Sequence, residues 1–482
     1  MPAVDRGFRA FRRAVLFCIA AALIGASPAA AVPFTWTGLG SSGNFSNTSN
    51  WNPPSPLSGA TSLTFGKLSA SCSAATMTPT CYHATNDATG VSVNSISFDG
   101  SQPYHVDGNP VSLGAGGLTA TYGGGIYGGD FSLPLALTAS QTWSISGPFS
   151  DGAPVTGAGS ALTVDFNSVP GTATFWFLYG HDSEVGPVQI NGAGQLSLGG
   201  SGVATTLNGG DGDPVSLAGG ALLFVFGPAE LGPLSSTARV DLSTNQLTVN
   251  GNLAIGGTLG ELLQAPGSGH FGAVAATGPA TVGGQLDVQQ IGAGGVGTPC
   301  GVLPTGTAFT IVSAGGPLTG TFVNAPPGAL LATWEGCPTG GFTTLAQIGY
   351  TPHTVTATIV APPALAAVRS VLTSVLKPKG KQAKIGYLLT HGGFSFSWPK
   401  IPGLLGVYWT AKVHHKQVMV AVVNAPRFNG SQATPVLVRL TKAGKGLLKS
   451  GAKLKVTISG YFGPTWDPRV EFKAHTTFTL TH

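Results

Sequence analysis

Positive charge is nearly missing from the first three-quarters of this chain. Between Val32 and Leu365 stand two basic side chains, Lys67 and Arg239, against fifteen acids, a net formal charge of −13. The scarcity counts against a polysaccharide lyase, which wants Lys or Arg beside its anionic substrate. It suits tightly stacked strands, which leave little room for long flexible side chains. Other absences narrow the field. After the first residues no run reaches about 18 uninterrupted apolar residues, so no membrane span is expected in the mature chain. Residues 32–360 carry no amphipathic-helix periodicity. His83 lies close to Cys81, but without a Cys-x-x-Cys or a spaced His pair, so neither metal nor cofactor is expected. No nucleophile elbow, phosphate loop or zinc-protease helix appears.

What is present begins with an address label. Arg6, Arg9, Arg12 and Arg13 precede an apolar run from Ala14 to Ile24, too short to span a bilayer. Ala29-Ala30-Ala31 then offers small residues for cleavage before Val32, so residues 1–31 read as a signal peptide. The mature chain is expected outside the cell or on its surface. Four cysteines remain, Cys72, Cys81, Cys300 and Cys337, an even number that suits disulfides in an oxidising compartment. Three pairings are open. Cys72 with Cys81 and Cys300 with Cys337 close the shortest loops.

Short segments rich in Val, Leu, Ile, Thr and Phe alternate with Gly, Asn, Ser, Asp and Pro throughout 32–360. Examples are Ser95-Ile-Ser-Phe98, Leu162-Thr-Val-Asp-Phe166 and Leu222-Leu-Phe-Val-Phe226. Glycines followed by alternating apolar residues recur from Gly192, Ala218, Gly251 and Gly283, with starts 26, 33 and 32 residues apart. Such a recurrence predicts coils of a parallel β-solenoid, each burying its inward face on the next. At roughly 20–30 residues per coil, the region would hold about a dozen rungs. A pair of antiparallel sandwiches is the alternative, because Asn191-Gly192, Asn208-Gly209 and Asn250-Gly251 are hairpin dipeptides as well as possible corners.

The remaining chain is of another kind. From Ala366 to His482, seventeen Lys and Arg stand against Asp467 and Glu471, a net charge of +15. Opposite charge on two bodies implies two domains with different jobs. Leu365, Val368, Leu372, Val375 and Leu376 fall on one face of a helix over 364–376. A basic break at Lys377-Pro-Lys-Gly-Lys381 and a second short helix over 382–389 complete a linker, 361–391. Six or so short strands with a short basic helix near 443–449 then predict an immunoglobulin-like sandwich over 392–482. The fold expected is all-β: a right-handed parallel β-solenoid over 32–360, followed by this small sandwich.

Certain residues resemble known families. Phe34-Thr-Trp-Thr-Gly38, Asn50-Trp-Asn52, Pro54 and Leu63-Thr-Phe65 resemble the opening of bacterial autotransporter-type β-helix passengers. Ser95-Ile-Ser-Phe98, Leu133 to Trp143, Gly306 to Val312 and Gly320-Thr-Phe322 continue the likeness. The resemblance implies a right-handed parallel β-helix with a surface or adhesive role. The chain departs from those proteins after 360, where its lysine-rich end lacks the outward apolar band of a membrane barrel. Leu440 to Lys449 and Leu454-Lys-Val-Thr-Ile458 instead resemble a basic immunoglobulin-like module found at the ends of secreted bacterial proteins.

Two sets of residues are candidates for function. Lys377, Lys379, Lys381, Lys442, Lys445, Lys449, Lys453 and Lys455 offer salt-sensitive contact with an anionic polymer of the cell envelope, or with an acidic glycan, rather than with nucleic acid. Asp182 and Glu184, beside His181 and the aromatic run Phe175 to Tyr179, and Asp211 with Asp213, are the acids a sugar-cleaving site would use, given two carboxylates across a glycosidic bond. The aromatic run itself reads as a buried strand before an exposed turn. Gly209-Gly-Asp-Gly-Asp213 has Pro214 where a calcium-binding nonapeptide repeat wants Asp, and it occurs once. His414-His415 belongs to a solvated strand end or loop. The reading expected overall is an exported, non-enzymatic, adhesin-like rod held by a basic module; a β-helix enzyme acting on polysaccharide is the alternative.

Overall fold

The computed structural model describes residues 32–58, 60–68, 82–99, 104–121, 130–168, 174–200, 204–210, 212–264, 271–290, 303–332, 344–423, 426–451, 453–466 and 470–482. Residues 1–31, expected to be a signal peptide, lie outside the described residues, as do Cys72, Cys81, Cys300, Cys337 and Asp211. The chain divides into two compact units, Met1–Thr174 and Phe175–His482. The protein is all-β, with three short α-helices among the described residues.

In the first unit, parallel strands stack in register. Phe34, Leu63, Ile96, Leu118, Trp143 and Val164 succeed one another across six strands, and all are buried. A second column runs Val91, Val111, Leu135, Val155. Alternation of side chains along a strand sends every second residue inward, so each coil need supply only two or three apolar residues per strand. The stack begins with an aromatic plug. Val32–Trp36 is met antiparallel by Trp51–Asn52, and Trp36 and Trp51 pack edge to face at 5.0 Å with Phe45 and Phe65 around them. Trp51 donates its indole N–H to the Phe45 carbonyl at 3.0 Å. The Trp and Asn-Trp residues that carry the family likeness are thus the ones that close the first coil.

The second unit opens with the same construction, in three ladders. One column reads Trp176, Leu196, Leu223, Val240, Leu259, Leu286. Another reads Val188, Val215, Leu234, Leu253, Ala280, Leu318. Leu207, Leu231, Val249 and Ala276 form the third. The Asn-Gly dipeptides are corners of coils rather than hairpins. Asn208 takes a left-handed φ of 58°. Its side chain accepts from Val185 N at 2.9 Å and donates to Gly186 O at 3.0 Å, fastening one coil to the one before.

The coil register corrects the repeat read from the sequence. The Gly192, Ala218 and Gly283 units feed one ladder, through Gln195–Leu198, Leu222–Val225 and Gln285–Gln290; the Gly251 unit feeds another, through Leu253–Ile255. Two further rungs, Arg239–Asp241 and Thr258–Leu263, lie between them. Coils therefore vary in length: Gln195 pairs with Leu222, whereas Leu222 pairs with Arg239. The parallel stack ends where Ala308–Ala314 meets Thr354–Val360 antiparallel, followed by Leu345–Tyr350 and Leu330–Ala332.

The C-terminal region departs from the expected sandwich. Its strands make one antiparallel sheet in the order Gly393–Trp398, Thr434–Leu440, Lys416–Val423, Gly403–Val413, Lys453–Pro464, Phe472–Thr481, with Arg427–Phe428 beside Gly403–Val413. Helices, rather than a second sheet, cover its inner face: α1 (Leu365–Val375), α2 (Ile385–His391) and α3 (Lys442–Ser450). Val368, Leu372, Leu376, Ile385, Leu388 and Leu448 join Trp398, Trp409, Ile458 and Phe462 in one core. Residues assigned to a linker therefore belong to the core. The apolar stripe that predicted α1 needed a surface to cover, and the sheet supplies it.

Candidate functional site

The strand register gives the C-terminal sheet two unlike ends. At one, Gly403 lies opposite Phe428 and Pro464. This end adjoins the last solenoid strands: Leu330 N donates to Asn429 O at 2.7 Å, and Leu345 enters the same core. A groove of about 900 Å³ opens here, lined by Asp287, Asn324, Leu331, Arg427, Gln432 and Thr465 among others.

At the other end the lysines gather. Lys453 pairs with Thr481, Lys416 with Val413, and Lys384 with Thr481. The Lys384 ammonium donates to the carbonyl of His482 at 2.7 Å. Lys379 and Lys381 lie in the turn that leads to Lys384, where Gln382 N and Lys384 N bond their carbonyls. Helix α3 carries Lys442, Lys445 and Lys449 to the same end, since Thr441 N bonds Val420 O and the chain continues into Lys453. Thr441 caps that helix, accepting from Gly444 N at 2.9 Å while donating to Met419 O at 2.6 Å. His414 and His415 are the exposed two-residue turn between neighbouring strands, with φ of 44° and 64°. All eight candidate lysines are exposed. None makes an ion pair among the described residues; in this region the pair described is Lys473 with Glu471, at 2.7 Å.

The solenoid acids stand differently. Glu184 serves its own corner, its Oε1 accepting from Gly210 N at 2.9 Å. Asp182 is exposed at the start of the strand Asp182–Val185, in register with Thr206. Asp213 is half-buried beside the next corner. Arg239 is committed as well. It holds Asp241 at 2.8 Å and, two coils along, Asp287 at 2.9 Å. Hydrogen bonding to Asp241 raises its pKa, against burial, with Asp287 adding to the rise. Gly260 lies between those two acids in the ladder, and a Cβ there would collide with Asp241 Oδ1. The lone arginine of this solenoid segment is a staple across coils, not a free cation for substrate.

The aromatic run is not the buried strand the sequence suggested. Trp176 and Leu178 point into the core, and Phe175, Phe177 and Tyr179 line the outer face. Phe177 stacks on Tyr179 at 5.6 Å and meets Phe226 edge-on at 6.0 Å, while Phe224 and Phe226 lie stacked two coils on. Five aromatic rings thus make a half-exposed face. The sequence marks Phe224 and Phe226 as part of a strand, and their alternation with Leu223 and Val225 is the signal that puts them on its outer face. No family model, curated protein or solved structure matches this chain.

Proposed function

We propose that this protein is an exported, non-enzymatic surface protein. In this reading its solenoid coils are a rigid rod that presents ligand-binding faces, and its C-terminal region attaches the rod to an anionic polymer of the cell envelope. The observation that carries the proposal is the gathering, at one end of the C-terminal sheet, of exposed lysines that make no ion pair among the described residues. Unpaired cations on a firm scaffold contact a polyanion without first giving up a partner. The aromatic face at Phe175, Phe177, Tyr179, Phe224 and Phe226 supports an extracellular glycan as ligand of the rod, since sugar rings stack on aromatic ones. The acids lend hydrolysis little support: Glu184 holds the Gly210 corner through Oε1, and Asp182 stands exposed.

The test uses the full-length protein and purified cell envelope. Retention is expected to fall steeply as salt rises, and to be lost when Lys442, Lys445, Lys449, Lys453 and Lys455 are all changed to Gln. Retention that persists at about 1 M salt, where charges are screened within a few ångströms, rejects an electrostatic anchor; so does the absence of retention at low salt.

A further inference from the structure

We propose that His83, His105 and Asp107 form a binding site for a divalent transition-metal ion. The strands His83–Asn86 and His105–Gly108 pair in parallel, with His83 beside His105 and Thr85 beside Asp107. Ala84 and Val106 fill the core between them. Alternation then leaves all three polar residues on one outer face. The two imidazole rings stand 4.5 Å apart at 70°, and both turn Nε2 to the same oxygen, Asp107 Oδ2, at 2.9 and 3.2 Å.

The geometry suits an ion. A metal with bonds of about 2.0–2.2 Å to nitrogen and oxygen holds its ligand atoms roughly 3–3.5 Å apart. Both histidine–aspartate separations are near that spacing, and all three donor atoms lie within 4.8 Å of one another. Asp107 Oδ1 is shielded and makes no hydrogen bond among the described residues. Two imidazoles and one carboxylate select zinc, copper or nickel over calcium and magnesium. The site is reachable, with the histidine side chains 41% exposed and that of Asp107 29%. Three protein ligands leave positions for water or for an oxygen ligand from outside. The surplus of acids in residues 32–365 draws cations toward it. The ion would tie two coils together.

The sequence hid this site because its halves are one coil apart: His-x-Asp on one strand, a single His on the strand before. The test is titration of full-length, tag-free protein with zinc by calorimetry, and with cobalt by visible absorption. One equivalent is expected. His105→Ala and Asp107→Asn should each weaken binding by more than the ~10–100-fold that loss of an outer-shell partner costs, and His353→Ala should not. Zinc should also raise the melting temperature of the parent protein but not of Asp107→Asn, whose near-identical shape preserves the coil. Absence of stoichiometric binding at millimolar zinc overturns the assignment. So does unchanged binding in the His105 and Asp107 variants, or binding lost only in Cys81→Ser, which would place the ion on thiols.

Discussion

Leu223, in the solenoid coils, and Trp409, in the C-terminal sheet, are both fully buried but are held by different neighbours. Leu223 sits between Leu196 and Val240, the equivalent residues of the adjoining coils. Trp409 sits between Ala421 and Ile458 in the sheet, stacks on Phe394 at 5.1 Å and meets Phe478 edge-on at 5.6 Å. A coil asks each residue to match a like residue one turn away. The sheet asks distant segments to fill one irregular volume, and helices α1, α2 and α3 complete it. The charge segregation follows the same division. Repetition brings like positions beside one another, and the coils accommodate Arg239 by pairing it with Asp241 and Asp287. A covered antiparallel sheet keeps a free end on which many lysines spread into solvent.

Deleting side chains tests that contrast most strongly. Trp409→Ala is expected to cost about 3–5 kcal/mol and Leu223→Ala about 2–5 kcal/mol. Chemical unfolding followed by circular dichroism and tryptophan fluorescence measures both. Trp409→Ala should unsettle the C-terminal core and leave the coil columns intact, and hydrogen exchange resolves the two. Loss of protection throughout the coils of the second unit in Trp409→Ala would erase the distinction.

Glu261 sharpens the contrast from the coil side. It occupies an inward position beside Leu259 and Leu263, fully buried, with neither carboxyl oxygen hydrogen-bonded among the described residues. Burial, and secondarily the charge of Asp241, raises its pKa well above the usual carboxylate value. A raised pKa in the fold means stability is intact below the unfolded-chain value of about 4.3 and declines as pH rises above it. Glu261→Leu should therefore gain about 1–3 kcal/mol near neutral pH, the cost of one unsatisfied buried group. The gain should shrink as the solution is acidified, read from melting curves across pH. A constant difference at all pH values would show that Glu261 is ionised at no cost.

The smallest effect belongs to the C-terminal region. Thr441→Ala removes the cap of the lysine-bearing helix α3 and should cost about 1 kcal/mol. Helix-sensitive circular dichroism is expected to fall slightly, with envelope retention weakened at intermediate salt.

Much of this was legible beforehand. Alternating apolar residues announced parallel stacking, and the three helices fell close to the stretches expected, because helix periodicity and charge are local signals. The coil boundaries were not, since a rung such as Arg239-Val240-Asp241 needs one inward residue and no glycine to mark it. The single sheet was mistaken for a sandwich because strand patterning records that one face is buried but not whether helix or strand buries it. The basic end was legible as composition alone; its position depends on register. The histidine pair was unreadable for a related reason, since neighbours across coils of variable length leave no fixed spacing.

The antiparallel return at Thr354–Val360 has a consequence for assembly. A stack of parallel coils is a growing edge, able to accept the equivalent edge of another molecule and propagate as a filament. Ala308–Ala314 spends that edge on a strand running the opposite way, and Leu345–Tyr350 follows on the far side. Reversal of direction closes this ladder to further parallel pairing.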